Sequence, residues 1–180
     1  MLMDCIKALK ECKGSVLEDS MDKLVRFDLY HLLFKPSMTA AMHTAERFAF
    51  APEDYLKWIR FCAGGDLQVC EFLGETGVDK DTGVRYGTFD EYEKEAKEAG
   101  LPAEYHVFAV ANFGDYFCFR SPADGSRDAC VHQWGLHEGE EVLYWDSFAD
   151  WLGEQVANWV EMIADDELDP IGLKMEDAHE

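Results

Sequence analysis

Between Tyr105 and Leu152 four short apolar runs alternate with Gly/Asp-bearing turns and then feed a strongly amphipathic helix. No other stretch restricts the fold as much. His106 to Ala111 is apolar at positions of both parities, as a strand buried on both faces must be. The short link Asn112 to Asp115 predicts a hairpin turn into a second strand, Tyr116 to Phe119. A turn from Pro122 to Asp128 leads to a third, Cys130 to Trp134, and the turn LHEGEE to a fourth, Val142 to Trp145. Ser147 with Asp150 is a capping signal. Beyond it Phe148, Trp151, Leu152, Gln155, Val156, Trp159, Val160 and Ile163 trace one helical face on which only Gln155 is polar.

The first half carries helices. Leu2, Cys5, Ile6, Leu9 and Cys12 form one stripe, stopped at Gly14. From Met21 to Phe34 the period is mixed: Val25, Phe27 and Leu29 alternate as a strand would, whereas Met21, Val25, Leu29 and Leu32 fit a helix, which is the reading taken. Pro36 ends that segment and Ser37 caps a helix with the face Met38, Ala41, Met42, Ala45 and Phe48. Pro52 opens another, with Glu53 and Asp54 at the positive end of its dipole, a buried stripe of Tyr55, Trp58, Ile59 and Cys62, and Gly64-Gly65 as terminator. Gln68 to Leu73 reads as a strand and Val84 to Tyr86 as its return. Thr88 and Glu91 cap a charged helix closed by Gly100.

Consecutive strands joined by tight turns, with helices grouped at the ends, predict an α+β fold. The expectation is a central antiparallel sheet of about four to six strands with helices packed at one face and the ends. The chain reads as one domain over 1–180, with N-terminal accessory helices at about 1–36 and an acidic tail at about 165–180.

Charge narrows the function. Sixteen Lys and Arg stand against 37 Asp and Glu, a formal net charge of −21. A polyanion is bound by Lys and Arg that displace its counterions, so nucleic acid and anionic membrane surfaces are disfavoured partners. A basic protein is attracted instead, although acidity also serves solubility. The N-terminus carries charges every few residues, unlike a signal peptide, and no run reaches the roughly 18 apolar residues of a membrane span. The expected location is cytoplasmic. The six cysteines lie inside apolar patterns without a CxxC pair, which favours reduced, buried thiols over disulfides or zinc.

The pattern resembles the SUKH superfamily, the Smi/Knr-type domain. The resemblance rests on Pro52-Glu53-Asp54-Tyr55, matching its LP-x-x-Y helix start; on Gly64-Gly65; on the Phe113 to Phe119 stretch FGDYFCF; on Val131; on His137-Glu138, matching its D-H-E element; and on Ser147-Phe148 with Trp151-Leu152, matching its S-F-x-x-[FW]-L final helix. These motifs run in the family's order from about Ala45 to Leu152. Ala51, Ala63 and Leu136 depart from it, and the first forty or so residues lie outside. The resemblance implies one α+β domain without catalysis. In bacteria such domains are typically immunity proteins that sequester toxins, often nucleases; in fungi a relative coordinates cell-wall signalling.

The chemistry-bearing residues are weighed against this. His132, His137 and Glu138 are close in sequence, but a spaced pair of histidines on a strand and turn does not make a zinc site, and His137 reads as a turn brace. No GxSxG, phosphate loop or cysteine–histidine signature is present. No catalytic residue, metal or cofactor is therefore assigned. Trp58, Trp151 and Trp159 read as core; Trp134 and Trp145, at strand ends, read as core or as half-exposed anchors. The leading expectation is an immunity-type module, a monomer or weak dimer, that blocks a basic, nuclease-type toxin. Its contact residues are expected to be Asp115, Trp134, His137, Glu138, Glu140 and Glu141, whose carboxylates stand in for phosphates. The alternatives are an adaptor for an endogenous protein and, third, a small hydrolase dependent on His137.

Overall fold

The structure is a computed structural model that describes residues 1–11, 32–79, 83–165 and 167–168. In chain order it contains α1 (Leu2–Glu11), β1 (Leu32–Leu33), α2 (Met38–Arg47), α3 (Glu53–Trp58), β2 (Gly65–Asp66), β3 (Cys70–Phe72), α4 (Phe89–Glu98), β4 (Tyr105–Ala111), β5 (Tyr116–Arg120), β6 (Val131–Gly135), β7 (Glu140–Trp145) and α5 (Phe148–Ala164). The strands form one seven-stranded antiparallel sheet in the order β1 to β7. The architecture is α+β, with one strand more than the upper expectation of six; the additions are two-residue strands too short to leave a period in the sequence.

Helix starts follow local chemistry. Ser37, Thr88 and Ser147 each accept a hydrogen bond from the backbone N–H three residues on, satisfying one orphan donor of α2, α4 and α5. Pro52 is the N-cap of α3, whose Tyr55 and Trp58 are buried, as are Ile59 and Cys62 just beyond it. The core is chiefly aromatic. Phe108 of β4 stacks on Phe119 of β5 at 4.3 Å between centroids, and the pair is closed over by Tyr55, Phe148 and Trp151. The α1 stripe Leu2, Cys5, Ile6 and Leu9 is buried, and α1 lies against α5.

Several expectations need correction. Leu32-Leu33, placed in a helix from Met21, form an edge strand paired with β2; residues 21–31 lie outside the described residues, as do Cys12, Gly14 and the acidic segment from 169 on. Gln68 is in a loop with φ +64°, so the strand begins at Cys70. Val84–Tyr86 supplies only a single bridge, Val78 to Arg85. On α2 the inner positions are Thr44 and, at its C-cap, Phe48, while Met38 and Met42 are exposed. Val160 of α5 is also exposed. On α2 and α5 the apolar period continued past the place where a packing neighbour exists.

Two features set testable stability limits. Gly65 has φ +132° in β2, and a Cβ there would collide with the Leu32 carbonyl oxygen across the β1 pairing. Gly65→Ala is expected to cost about 2 kcal/mol or more in urea unfolding, against about 1 kcal/mol for Gly139→Ala, whose Cβ would enter open space. Equal costs would refute the close-approach account. The second is an ionic staple. Arg47 reaches Asp90 at 2.7 Å and Glu93 at 3.1 Å, and Glu93 also faces His106 Nδ1 at 3.0 Å. Burial alone would raise the Glu93 carboxyl, but His106 and Arg47 outweigh it and hold it below the ordinary glutamate range. A carboxylate depressed in the folded state stabilises above its unfolded pKa and loses that contribution as pH falls through the folded one. Glu93→Gln should therefore flatten the loss of stability seen on acidifying from about pH 6 to about pH 3; an unchanged slope would remove the staple from that role.

Candidate protein-binding surface

The strands β5, β6 and β7 form one end of the sheet, and their turns bring the candidate residues into the same region. The β4–β5 turn needs Gly114 at φ +100°. Asp115 beside it is buried: one oxygen accepts from Gln133 Nε2 at 2.7 Å and the other from the Leu136 N–H at 3.1 Å. Asp115 thus ties the β4–β5 turn to the β6–β7 turn and has no face toward solvent. Trp134 is also buried, 9 % exposed, with its ring 6.0 Å from Tyr105. Of the six expected contact residues, His137, Glu138, Glu140 and Glu141 are exposed. His137 and Glu138 occupy the β6–β7 turn, whereas Glu140 and Glu141 belong to β7 itself, not to the turn where the spacing put them.

Behind this surface runs a chain of polar contacts. Arg120 Nε lies 3.0 Å from Asp128, whose other oxygen accepts from the Cys130 N–H. Asp128 faces His132 Nε2 at 3.4 Å, and Glu141 faces His132 Nδ1 at 2.6 Å. Tyr105 donates to the same Glu141 oxygen at 3.2 Å, and its ring meets His132 edge-on at 5.3 Å. Burial raises the Asp128 carboxyl, but the Cys130 amide, His132 and Arg120 outweigh it and leave it lowered. Burial, then Glu141, pushes the Tyr105 hydroxyl up. His132 is thus gripped by two carboxylates on a sheet face, and no local pattern marks Asp128 or Tyr105 as its neighbours.

Chemically the arrangement offers acceptors and apolar surface. Cys118 pairs across the ladder with His132, but burial pushes its thiol well up, which suppresses the thiolate a nucleophile requires. Cys62 is pushed up to about 12 by the same cause. Cys5, Cys62, Cys70, Cys118 and Cys130 are free thiols, the first four buried. Among the described residues no group of three or more His, Cys, Asp and Glu side chains is arranged to hold a metal ion. No described helix is long and apolar enough to cross a membrane.

The outermost strand adds what the sequence reading overlooked. Val142, Leu143 and Tyr144 are 41 %, 48 % and 59 % exposed. The apolar run from Val142 predicts a strand but not a surface. The available signal was topological: the last strand of a meander has one neighbour, so its apolar side chains lack a second flank.

Among curated proteins, none matches the chain. The profile of the SMI1 / KNR4 family (SUKH-1) matches residues 50–154. That span runs from the entry to α3 through the sheet into α5, and includes the Asp115 tie, the polar chain and β7. It covers more than half of the 180 residues, and the chain belongs to the SMI1 / KNR4 family (SUKH-1).

Proposed function

We propose that this protein is a non-catalytic, cytoplasmic binding module of the immunity type, which neutralises a basic toxin domain, of the nuclease class, by covering it. Family membership supports protein binding as the activity, since the family includes immunity proteins. The observation that carries the finer reading is the exposed group His137, Glu138, Glu140 and Glu141, set beside the apolar Val142, Leu143 and Tyr144. Glu141 is held by His132 and Tyr105, whereas among the described residues no Lys or Arg forms an ion pair with Glu138 or Glu140. Such carboxylates are available to an incoming cation at little desolvation cost, and the net charge of −21 steers a basic partner toward them. A nuclease binds its substrate through Lys and Arg on phosphates, so an acidic surface occupies the same groups.

Affinity capture with this chain as bait, from the cell that produces it, tests the reading. The expected catch is a basic protein encoded beside it, whose toxicity the chain suppresses on co-expression. Capture of a housekeeping complex alone would favour the adaptor reading. With the captured partner, association should slow at least tenfold between about 0.05 and 0.5 M salt. Glu138→Lys with Glu140→Lys should weaken binding and leave the unfolding temperature within about 4 °C, because both sites are exposed. A salt-insensitive on-rate would remove the electrostatic basis.

A further inference from the structure

The apolar residues of β7 are exposed on both faces of the sheet at once. Register places Leu143 opposite Gln133 and Trp145 opposite Val131, and it places Tyr144 opposite His132 and Glu141 opposite Trp134. Opposed residues share a face. Leu143 and Trp145 therefore stand on the α5 side, where Trp145 meets Phe117, and Tyr144 stands on the other. A helix or a flat protein surface laid on the sheet would cover one of these sets and leave the other in water. An extended segment lying in the plane of the sheet, alongside β7, touches both.

The backbone agrees. β7 pairs only with β6, and among the described residues no backbone hydrogen bond joins Glu140–Trp145 to anything beyond that strand. Every second residue of such a strand directs its N–H and C=O outward. Edge strands are usually guarded by Lys, Pro, bulges or short length. β7 contains no Lys or Pro. It has a single irregularity, with Val142 as the extra residue between the Gln133–Leu143 and Trp134–Glu141 pairs. The regular run is Leu143 to Trp145, and Glu140 and Glu141 lie just past it.

We infer that β7 is a docking edge which takes an extended, basic segment of a partner by strand addition, apolar side chains against Leu143 and Tyr144 and a cation against the exposed Glu140. Charge selects this occupant over a second copy of the chain: two molecules of −21 would bring the same glutamates together. This rests on the acidic-surface reading above and specifies its geometry.

The test uses the full chain and an acetylated, amidated seven-residue peptide of alternating Lys and Val. Its controls are the same peptide N-methylated throughout, which keeps charge and side chains but has no strand donors, and an alternating Glu and Val peptide. Binding is read by NMR titration and by amide hydrogen exchange at Glu140–Trp145. The expected result is binding of the Lys/Val peptide alone, slowed exchange in β7, and a loss of at least tenfold in Leu143→Lys, an exposed position that the fold tolerates. Equal binding of the N-methylated peptide would overturn the edge inference and leave the acidic surface standing. No binding of the Lys/Val peptide up to about 1 mM would overturn it, and if neither basic peptide binds at low salt the acidic-surface reading falls as well. Self-association of the free chain with β7 protected would also overturn it, making a second copy the occupant.

Discussion

The stacking of Phe108 on Phe119, sealed by Tyr55, Phe148 and Trp151, is the contact on which the remaining structure rests. These five rings come from β4, β5, α3 and α5, so a single cluster joins the centre of the sheet to both helices above it. Offset and edge-to-face pairs of this kind add about 0.5–1.5 kcal/mol each beyond the area they bury. Because the rings fix where α3 and α5 sit, they also fix the outer strands that lead into α5. The surface at β6 and β7 is held in place from within.

Electrostatics divides the acidic residues into two populations. Glu93, Asp90, Asp128 and Asp115 have specific partners and serve as internal ties. Others, such as Glu138 and Glu140, stand in solvent next to apolar side chains. Only the second population confers anything on a partner, since ionic groups already satisfied within the fold gain little from a new cation. Net charge alone therefore overstates the acidic surface available for recognition.

Much of this was legible in the residues. The strands from Tyr105 to Trp145 follow from apolar runs between turns, and α5 from a face broken only by Gln155. The motif at Pro52 to Tyr55 correctly marked the entry to α3. What escaped was whatever depends on neighbours distant in sequence. Leu32-Leu33 owe their strand to Gly65 and Asp66, more than thirty residues on, and no local period records that. Asp115 is expected at the contact surface because it flanks a turn, and Trp134 is read as core or as a half-exposed anchor; Gln133 and the Leu136 amide claim the first, and Tyr105 covers the second, the core alternative. His132 could be named from sequence, but not the pair of carboxylates around it, which come from opposite ends of the β6 hairpin region.

The unbroken order β1 to β7 has a consequence for synthesis at the ribosome. Each strand pairs with the one emitted before it, so the sheet can lengthen as the polypeptide emerges, at small loop-closure cost. The lid of the aromatic cluster, however, is supplied by Phe148 and Trp151 at the start of the last helix. Until that helix leaves the exit tunnel, Phe117 lacks its Trp151 cover, and Phe108 and Phe119 are covered from the Tyr55 side alone, on a nascent sheet whose newest strand is also its open margin. The interval between release of β7 and arrival of α5 is when this polypeptide is most exposed to aggregation and most in need of chaperone cover.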